Sequence, residues 1–397
     1  MKKFFFVLLI CFISFPCIYA DNSVKSWSDR SFEIGIMQTD IGFSNNLFGI
    51  LDIFQDSLEI DLNKLQDGFF LNLNLGVTPL YISFNSKKNW GFGFYLGADA
   101  SGLAGLSGKM LNFMDANNEK SDLTLSVFAH AQFSLFFHIS KLKMTLSPTV
   151  FYPAVYAVPS ITYTKMNTDE ETTLKLAYDL QVFSAISLAD DNYREITGSP
   201  GFDFSLGLEF PLAEAIGLKK IIPFLDFSVG FDLQNFAMIP ATLQSRMRMT
   251  GQIYCDKIDF INDGLNGFKI ELENPIVYDE SPLTVKRPFK LTAWAQWRPF
   301  KFLSVTPSIG FSLNGIYINM FSLEGGLKAD INIFSIMNIT AGAGYYDRVW
   351  VNSVDLALNF RVIEINIGIN LRSNDFSESW NFLSGSPGAR IGLKIGF

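Results

Sequence analysis

One stretch of strict alternation between apolar and polar residues constrains the fold of this chain more than any other feature. From Asp122 to Ile139 every odd-numbered residue is apolar, whereas the even-numbered positions hold mainly Asp, Thr, Ser, His and Gln. Because successive side chains of a strand point to opposite faces, we predict one long β-strand with an apolar and a mostly polar face. A membrane-spanning strand needs only about 9 to 11 residues, so this strand is expected to extend beyond a bilayer.

The C-terminus repeats the pattern, with apolar residues alternating with Arg, Gly and Lys from Ala389 to Phe397. An apolar face that ends at a free carboxylate suits a closed barrel, where the last strand pairs with the first and its apolar face meets lipid. Similar segments recur along most of the chain. We therefore predict an all-β fold, a transmembrane antiparallel β-barrel of about 14 strands (range about 12–18) forming one domain over residues 21–397.

The N-terminus has the pattern of a secretory signal peptide. Lys2 and Lys3 precede an apolar core that begins at Phe4, and Ala20 precedes Asp21. This core is too short to span a bilayer, so we predict that residues 1–20 are a signal peptide cleaved after Ala20. No run of about 18 apolar residues follows, so the sequence predicts no transmembrane helix. These features favour export to the bacterial outer membrane, with its lipid as a partner.

Composition excludes some classes of function. The formal net charge of −8 argues against an electrostatic nucleic-acid partner. Of three cysteines, two lie within residues 1–20 and only Cys255 remains, so we expect no internal disulfide. An exported chain of 397 residues without disulfides needs another source of stability, and a closed sheet supplies one.

One segment has a helical pattern instead. Between residues 46 and 66, apolar side chains recur at spacings of three and four, with acidic and amide residues between them. These apolar residues include Leu47, Leu51, Phe54, Leu58 and Leu62. We predict an amphipathic helix that acts as a plug or hatch in the barrel lumen; a helix in the periplasm or on the membrane surface is the alternative.

No constellation of residues indicates catalysis. His130 and His138 lie on one predicted strand, eight residues and therefore about 27 Å apart, so one metal ion cannot bridge them. Acidic residues are scattered at the strand rhythm, and Gly91-x-Gly93 lies within a strand. We therefore predict no enzymatic activity, no cofactor and no metal site.

The inward face of the barrel is the informative surface. Its predicted polar positions carry aromatic and basic residues together, a mixture that can hold an amphipathic ligand. Alternatively, the aromatic rings pack against a plug or lie outside the bilayer. The candidate lumen or ligand contacts are Phe128, His130, Phe136, Arg246, Arg248, Trp294, Phe302, Arg390 and Lys394.

The terminal Phe397 on an alternating strand resembles the recognition strand of outer-membrane barrels, which implies that the barrel-assembly machinery is a partner. The layout of the whole chain resembles outer-membrane barrels of the long-chain fatty-acid transporter type and the spirochaete barrels grouped with them. An early helix, about 14 strands and the terminal Phe carry this resemblance. The family's early Asn-Pro-Ala signature is not visible, and no site residue is carried over.

Three hypotheses of function follow. The preferred one is passive uptake of hydrophobic or amphipathic small molecules, such as fatty acids, past the predicted helix. A general or ion-selective porin is the second. A surface adhesin or structural barrel, which would use the predicted loops 100–121 and 374–388, is the third.

Overall fold

A computed structural model of the chain describes residues 30–45, 68–86, 89–107, 122–167, 172–187, 196–217, 224–256, 269–272, 277–313, 321–334, 336–347, 349–381 and 386–397. Within these residues the chain forms antiparallel strands that pair into one closed sheet. The strands are β1 (Phe32–Asn45), β2 (Gly68–Asn85), β3 (Trp90–Ser107), β4 (Asp122–Ile139), β5 (Leu142–Asn167), β6 (Thr172–Ser184), β7 (Gly201–Phe210), β8 (Asp226–Ile239), β9 (Ala241–Asp256), β10 (Lys269–Leu272), β11 (Val277–Val285), β12 (Phe289–Phe300), β13 (Leu303–Leu313), β14 (Phe321–Ile333), β15 (Met337–Tyr346), β16 (Val349–Asn359), β17 (Ile363–Ser373) and β18 (Ser386–Gly396).

The barrel has 14 strands, as the sequence predicts. The ring runs through β1 to β5, then β7, β8 and β12, and returns through β13 to β18. It closes between β18 and β1, where Phe32 and Phe397 exchange both backbone hydrogen bonds, at 3.1 and 3.0 Å. The prediction that the terminal strand pairs with the first is therefore confirmed. Residues 32–36, at the start of β1, belong to the barrel wall.

The two faces of the wall differ as the alternation predicts. Outward side chains such as Val354, Ile367 and Ile369 are about half exposed, although they are apolar. Inward side chains such as Ser147 and Asp203 are polar and buried. An outward apolar band around a closed antiparallel sheet is the pattern of a transmembrane barrel. Connections of only two residues, 140–141 and 301–302, join β4 to β5 and β12 to β13 at the end that holds Phe397. We call the opposite end the outer rim.

Four strands extend the wall on one side. The first half of β5 pairs with β7, and its second half pairs with β6. Above β7, β8 and β12, the wall continues as β6, β9 and β11, with β10 paired to β9. We call β6, β9, β10 and β11 the extension. Because the ten residues of β7 already suffice for a bilayer, the extension lies beyond the membrane on the side of the outer rim.

The structure corrects one sequence prediction, that of a loop from residue 100. Residues 100–107 are strand, not loop, because these small residues pair with β2 on one side and β4 on the other. After Pro240 the chain continues as β9, which hydrogen-bonds to β6 and β11. A short helix, α1 (Leu212–Ala215), follows β7.

Two sequence predictions concern residues that the structure does not describe. The plug helix with Leu47, Leu51, Phe54, Leu58 and Leu62 and the signal peptide lie outside the described residues. In the described part of the chain, no helix has the length and apolarity needed to cross a bilayer.

Candidate functional site

The barrel encloses a cavity of about 810 Å³. Inward side chains line it from β1 and β2, from β5, β7 and β8, and from β12 to β18. A volume of this order is typical of a site for a small molecule. The cavity is therefore formed by most strands of the ring, but not by β3 and β4.

The wall of the cavity is strongly charged but balanced. Equal numbers of acidic and basic side chains line it. The acids are Asp40, Glu209, Asp232, Glu324, Asp330, Asp347 and Asp355; the bases are Lys143, Lys290, Arg298, Lys328, Arg372, Arg390 and Lys394. Many of these groups are ion-paired, so the lumen presents fixed dipoles and not a field of one sign.

Arg390 joins three strands inside this cavity. Its guanidinium lies 2.8 Å from Asp40 of β1 and 3.0 Å from Asp355 of β16. The Arg372 guanidinium approaches the other Asp40 oxygen at 3.6 Å. Arg390 remains 38% exposed, so it also faces the cavity space. Two arginines and two acids therefore span the closing seam between β18 and β1.

A second charged cluster surrounds Lys290 of β12. The Lys290 Nζ lies 3.1 Å from Glu324 Oε1 and 3.3 Å from Asp347 Oδ2. The three side chains are between 6% and 12% exposed. Lys394 pairs with Glu364 at 2.8 Å in the same way. These pairs fix long side chains against the wall.

Two aromatic side chains on the cavity wall lie directly against glycines. Trp294 donates its indole N–H to Asp232 at 2.7 Å, and its ring covers Gly230 of the neighbouring strand. A Cβ atom at Gly230 would overlap this ring. Tyr346 covers Gly326 and Gly344 in the same way. The glycines provide recesses that keep both rings out of the centre of the lumen.

A packed apolar level lies above the cavity toward the outer rim. Phe151 follows Lys143 and Thr145 on the inward face of β5 and is 1% exposed. Phe128 of β4 packs edge-on against it, with 6.0 Å between ring centroids. The Arg287 guanidinium lies over the Phe151 ring and pairs with Asp203. At this level, the side of the lumen next to β4, β5 and β7 is filled by protein side chains.

The remaining candidates on β4 are also buried. Phe136 is 5% exposed on the inward face, paired in register with Thr145. His130 lies between Phe128 and Phe136 along β4, and its Nδ1 is 3.1 Å from Asp99 Oδ2 of β3. Phe128, His130 and Phe136 therefore share one inward face but do not line the cavity described above.

Three predicted contacts lie elsewhere. Arg246 and Arg248 of β9 belong to the extension, where each makes a two-pronged ion pair, with Asp279 and Asp179 respectively. These pairs hold the pKa of both carboxyl groups below the ordinary value. Phe302 lies in the turn between β12 and β13, where it is 54% exposed, because the alternation that predicts an inward position ends with β12. Only Trp294, Arg390 and Lys394 of the predicted contacts line the cavity.

Sequence reasoning missed the acidic partners. Asp40, Glu324 and Asp355 stand on polar positions of their strands, which is a usable signal, but their partners are far away in sequence. Strand register, which the local pattern does not contain, brings them together. In the described part of the chain, no group of three or more His, Cys, Asp or Glu is arranged to hold a metal ion.

Comparisons with known proteins give overall likeness only. No protein-family model and no curated protein sequence matches the chain. Among solved structures, the barrel is similar to the Ralstonia pickettii toluene transporter TbuX (9% identity, 93% of this chain and 90% of that chain, TM-score 0.49). It is also similar to the Pseudomonas putida toluene transporter TodX (8%, 96% and 95%, 0.49) and to a Pseudomonas aeruginosa FadL homologue (11%, 91% and 88%, 0.41).

Proposed function

We propose that this protein is a channel of the bacterial outer membrane through which hydrophobic or amphipathic small molecules, such as fatty acids, diffuse passively. The observation that carries the proposal is the cavity of about 810 Å³ within the barrel, which combines charged side chains with the aromatic rings of Trp294 and Tyr346. Such a mixture suits a ligand that has both an apolar body and a polar or charged group.

The order of the two chemistries along the lumen supports an amphipathic cargo. A molecule that enters from the outer rim passes the level filled by Phe128 and Phe151 before it meets Arg390 and Lys394. Its apolar part can pack on the cavity rings of Trp294 and Tyr346, while a carboxylate can exchange with one of the existing acidic partners of an arginine or lysine.

The route has three steps. The cargo is captured on the side of the outer rim, held in the cavity, and released toward the end that holds Phe397. The predicted helix over residues 46–66 would act as the hatch on this route, and deletion of residues 46–66 is then expected to raise permeability. The terminal strand would direct the chain to the barrel-assembly machinery.

An ion-selective porin is the second candidate, favoured by the number of charged groups in the cavity wall. Such a pore would use Lys328 and Arg390, which are 47% and 38% exposed, to attract ions into the lumen. The filled level around Phe151, at 1% exposure, favours the first candidate because it narrows the path for hydrated ions.

Reconstitution separates the two candidates. Purified protein is placed in planar bilayers for conductance and in liposomes for uptake of a fluorescent fatty acid and of a neutral sugar of similar mass. The proposal expects small conductance and, after subtraction of uptake by protein-free liposomes, uptake of the fatty acid that exceeds uptake of the sugar. Large, steady conductance steps with equal entry of both solutes would overturn it in favour of a porin.

A further inference from the structure

A loop at the outer rim folds back over the outside of the barrel. Residues 374–381, which we call the rim loop, follow β17 and contain a short 3₁₀ turn. Asn352 of β16 donates from Nδ2 to the Ser379 carbonyl oxygen at 2.9 Å and to its hydroxyl at 2.8 Å. Ser373 donates to a Glu378 carboxylate oxygen at 3.1 Å. The loop is therefore tied to two neighbouring strands.

The anchoring residues show which face the loop covers. On β16, Val351, Ser353 and Asp355 line the cavity, so Asn352 points outward. Its outward neighbour Val354 is 50% exposed. Asn352 and Ser373 are the polar exceptions on the otherwise apolar or aromatic outward faces of β16 and β17. Each is buried, and each binds the rim loop.

The backbone of the rim loop needs no water to satisfy its N–H groups from residue 377 to residue 381. Asp375 accepts three of them: its Oδ1 binds the N–H groups of Ser377 and Glu378, and its carbonyl oxygen binds that of Ser379. The N–H groups of Trp380 and Asn381 bind carbonyl oxygens within the loop. Backbone at a lipid boundary requires such internal satisfaction, because unsatisfied groups are costly there.

The rim loop presents large aromatic rings outward. Phe376 packs edge-on against Trp350 of the barrel wall, with 4.8 Å between centroids, and Trp380 packs edge-on against Phe376 at 6.3 Å. Phe376 is 51% exposed and Trp380 is 59% exposed. Two neighbouring large rings exposed to water would be unfavourable, so we expect this face of the loop to contact an apolar environment.

The height of these rings matches the edge of a membrane. Leu358 and Trp350 are eight residues apart on the outward face of β16, which is about 27 Å along the strand. With a tilt of roughly 35–45°, this gives about 20 Å along the barrel axis, close to the roughly 25 Å apolar band of such barrels. Trp350, Phe376 and Trp380 therefore lie near the top of the band, where aromatic side chains prefer the headgroup level.

We propose that the rim loop is a membrane anchor, with Phe376 and Trp380 inserted beside the barrel wall into the interfacial zone of the outer leaflet. The occupant of this surface is lipid, at the boundary between headgroups and acyl chains. The inference depends on the barrel spanning a membrane and is independent of its cargo.

Site-directed spin labelling tests the proposal. The full barrel, refolded from residue 21 into dioleoylphosphatidylcholine vesicles, carries Cys255→Ser so that one introduced cysteine is labelled. The probe site is Trp380→Cys. Val354→Cys is the control within the lipid, and Asn374→Cys is the control in water at the start of the same loop. Accessibility is measured with oxygen, which concentrates in lipid, and with a neutral nickel chelate, which stays in water.

The expected oxygen-to-nickel ratio at position 380 is several-fold above that at 374 and below that at 354. Equal ratios at 380 and 374 would overturn the proposal. Exclusion of both reagents at 380, together with dipolar broadening between labels, would show that a second copy covers the loop and would also overturn it. The native aromatic ring is tested by Trp380→Phe, which is expected to reduce the tryptophan fluorescence quenched by shallow brominated lipid. An unchanged quenched fraction in a folded barrel would contradict the anchor.

Discussion

Arg287 and Asp203 form a two-pronged ion pair, with distances of 2.7 and 2.9 Å, at the level where three neighbouring strands of the barrel are interrupted. The chain between β6 and β7 leaves the wall after Ser184, Pro240 separates β8 from β9, and residues 286–288 separate β11 from β12. Arg287 belongs to the third interruption, and Asp203 is paired in register with Thr149 of the uninterrupted β5. The ion pair therefore joins the broken part of the wall to its continuous part.

Removal of one partner of this pair is expected to be severely destabilising. The side chains are 4% and 0% exposed, so Asp203→Ala leaves a buried guanidinium without its acid. Breaking a buried ion pair typically costs roughly 3–5 kcal/mol. Urea unfolding in lipid vesicles, followed by tryptophan fluorescence, measures the free energy of unfolding.

The matched control is Arg298→Ala, which removes an exposed guanidinium from the cavity and is expected to change the free energy of unfolding little. The double variant Asp203→Asn with Arg287→Met is expected to lower the free energy of unfolding less than Asp203→Ala or Arg287→Ala alone, because no buried charge remains. A double variant that costs the sum of both single changes would contradict this interpretation of the pair.

The recess at Gly230 is expected to control the free width of the cavity. In Gly230→Ala the new methyl group overlaps the Trp294 ring, so the indole must move from the wall into the lumen. Single-channel conductance and solute uptake should both decrease, while the barrel stays folded. Gly325→Ala is the matched control, because its nearest neighbour is a backbone oxygen at 3.4 Å, an ordinary contact.

A second substitution separates blockage from general damage. If the displaced ring causes the loss, the double variant Gly230→Ala with Trp294→Ala should recover conductance to at least the original level. Failure to recover would show that the alanine acts through the strand backbone instead.

Arg390 is expected to set the charge balance of the lumen. In Arg390→Gln, Asp355 loses its guanidinium at 3.0 Å and Asp40 keeps only the more distant Arg372. The cavity then has an excess of negative charge, so the reversal potential in a salt gradient should shift toward cation selectivity. Arg361→Gln, in the exposed turn after β16, should leave the reversal potential unchanged. A shift toward anions would be the contrary result.

The strands of the barrel wall could be predicted from the sequence, but few of the contacts in the lumen could. Alternation is local, so Asp122–Ile139 could be predicted as a strand with both faces correctly assigned. The contact between Arg287 and Asp203, which are 84 residues apart, depends on strand register and cannot be found by a local pattern. Phe302 shows where a local pattern misleads. The alternation along β12 predicts an inward side chain there, but Phe302 lies in a turn, where alternation no longer applies. Glycine-rich residues 100–107 resembled a loop because small side chains give no face, although their backbone pairs on both sides.

As the pH falls, the extension is expected to lose stability before the membrane-spanning wall does. Hydrogen bonds from Arg248 lower the pKa of Asp179, and those from Arg246 lower the pKa of Asp279, so both acids bind protons less readily when folded than when unfolded. Their stabilisation is therefore fully present above the ordinary carboxyl pKa of about 3.9 and is lost as the pH falls through the lower folded values.

Hydrogen exchange, corrected for the intrinsic pH dependence, should show protection of β6 and β9 that is constant at neutral pH and declines below about pH 4. Peptides from β14 and β15 provide the comparison within the wall. In the double variant Asp179→Asn with Asp279→Asn, protection of β6 and β9 should be lower at neutral pH and should lose this acid dependence, because the neutral side chains no longer titrate. Persistence of the same decline in that variant would assign it to other groups.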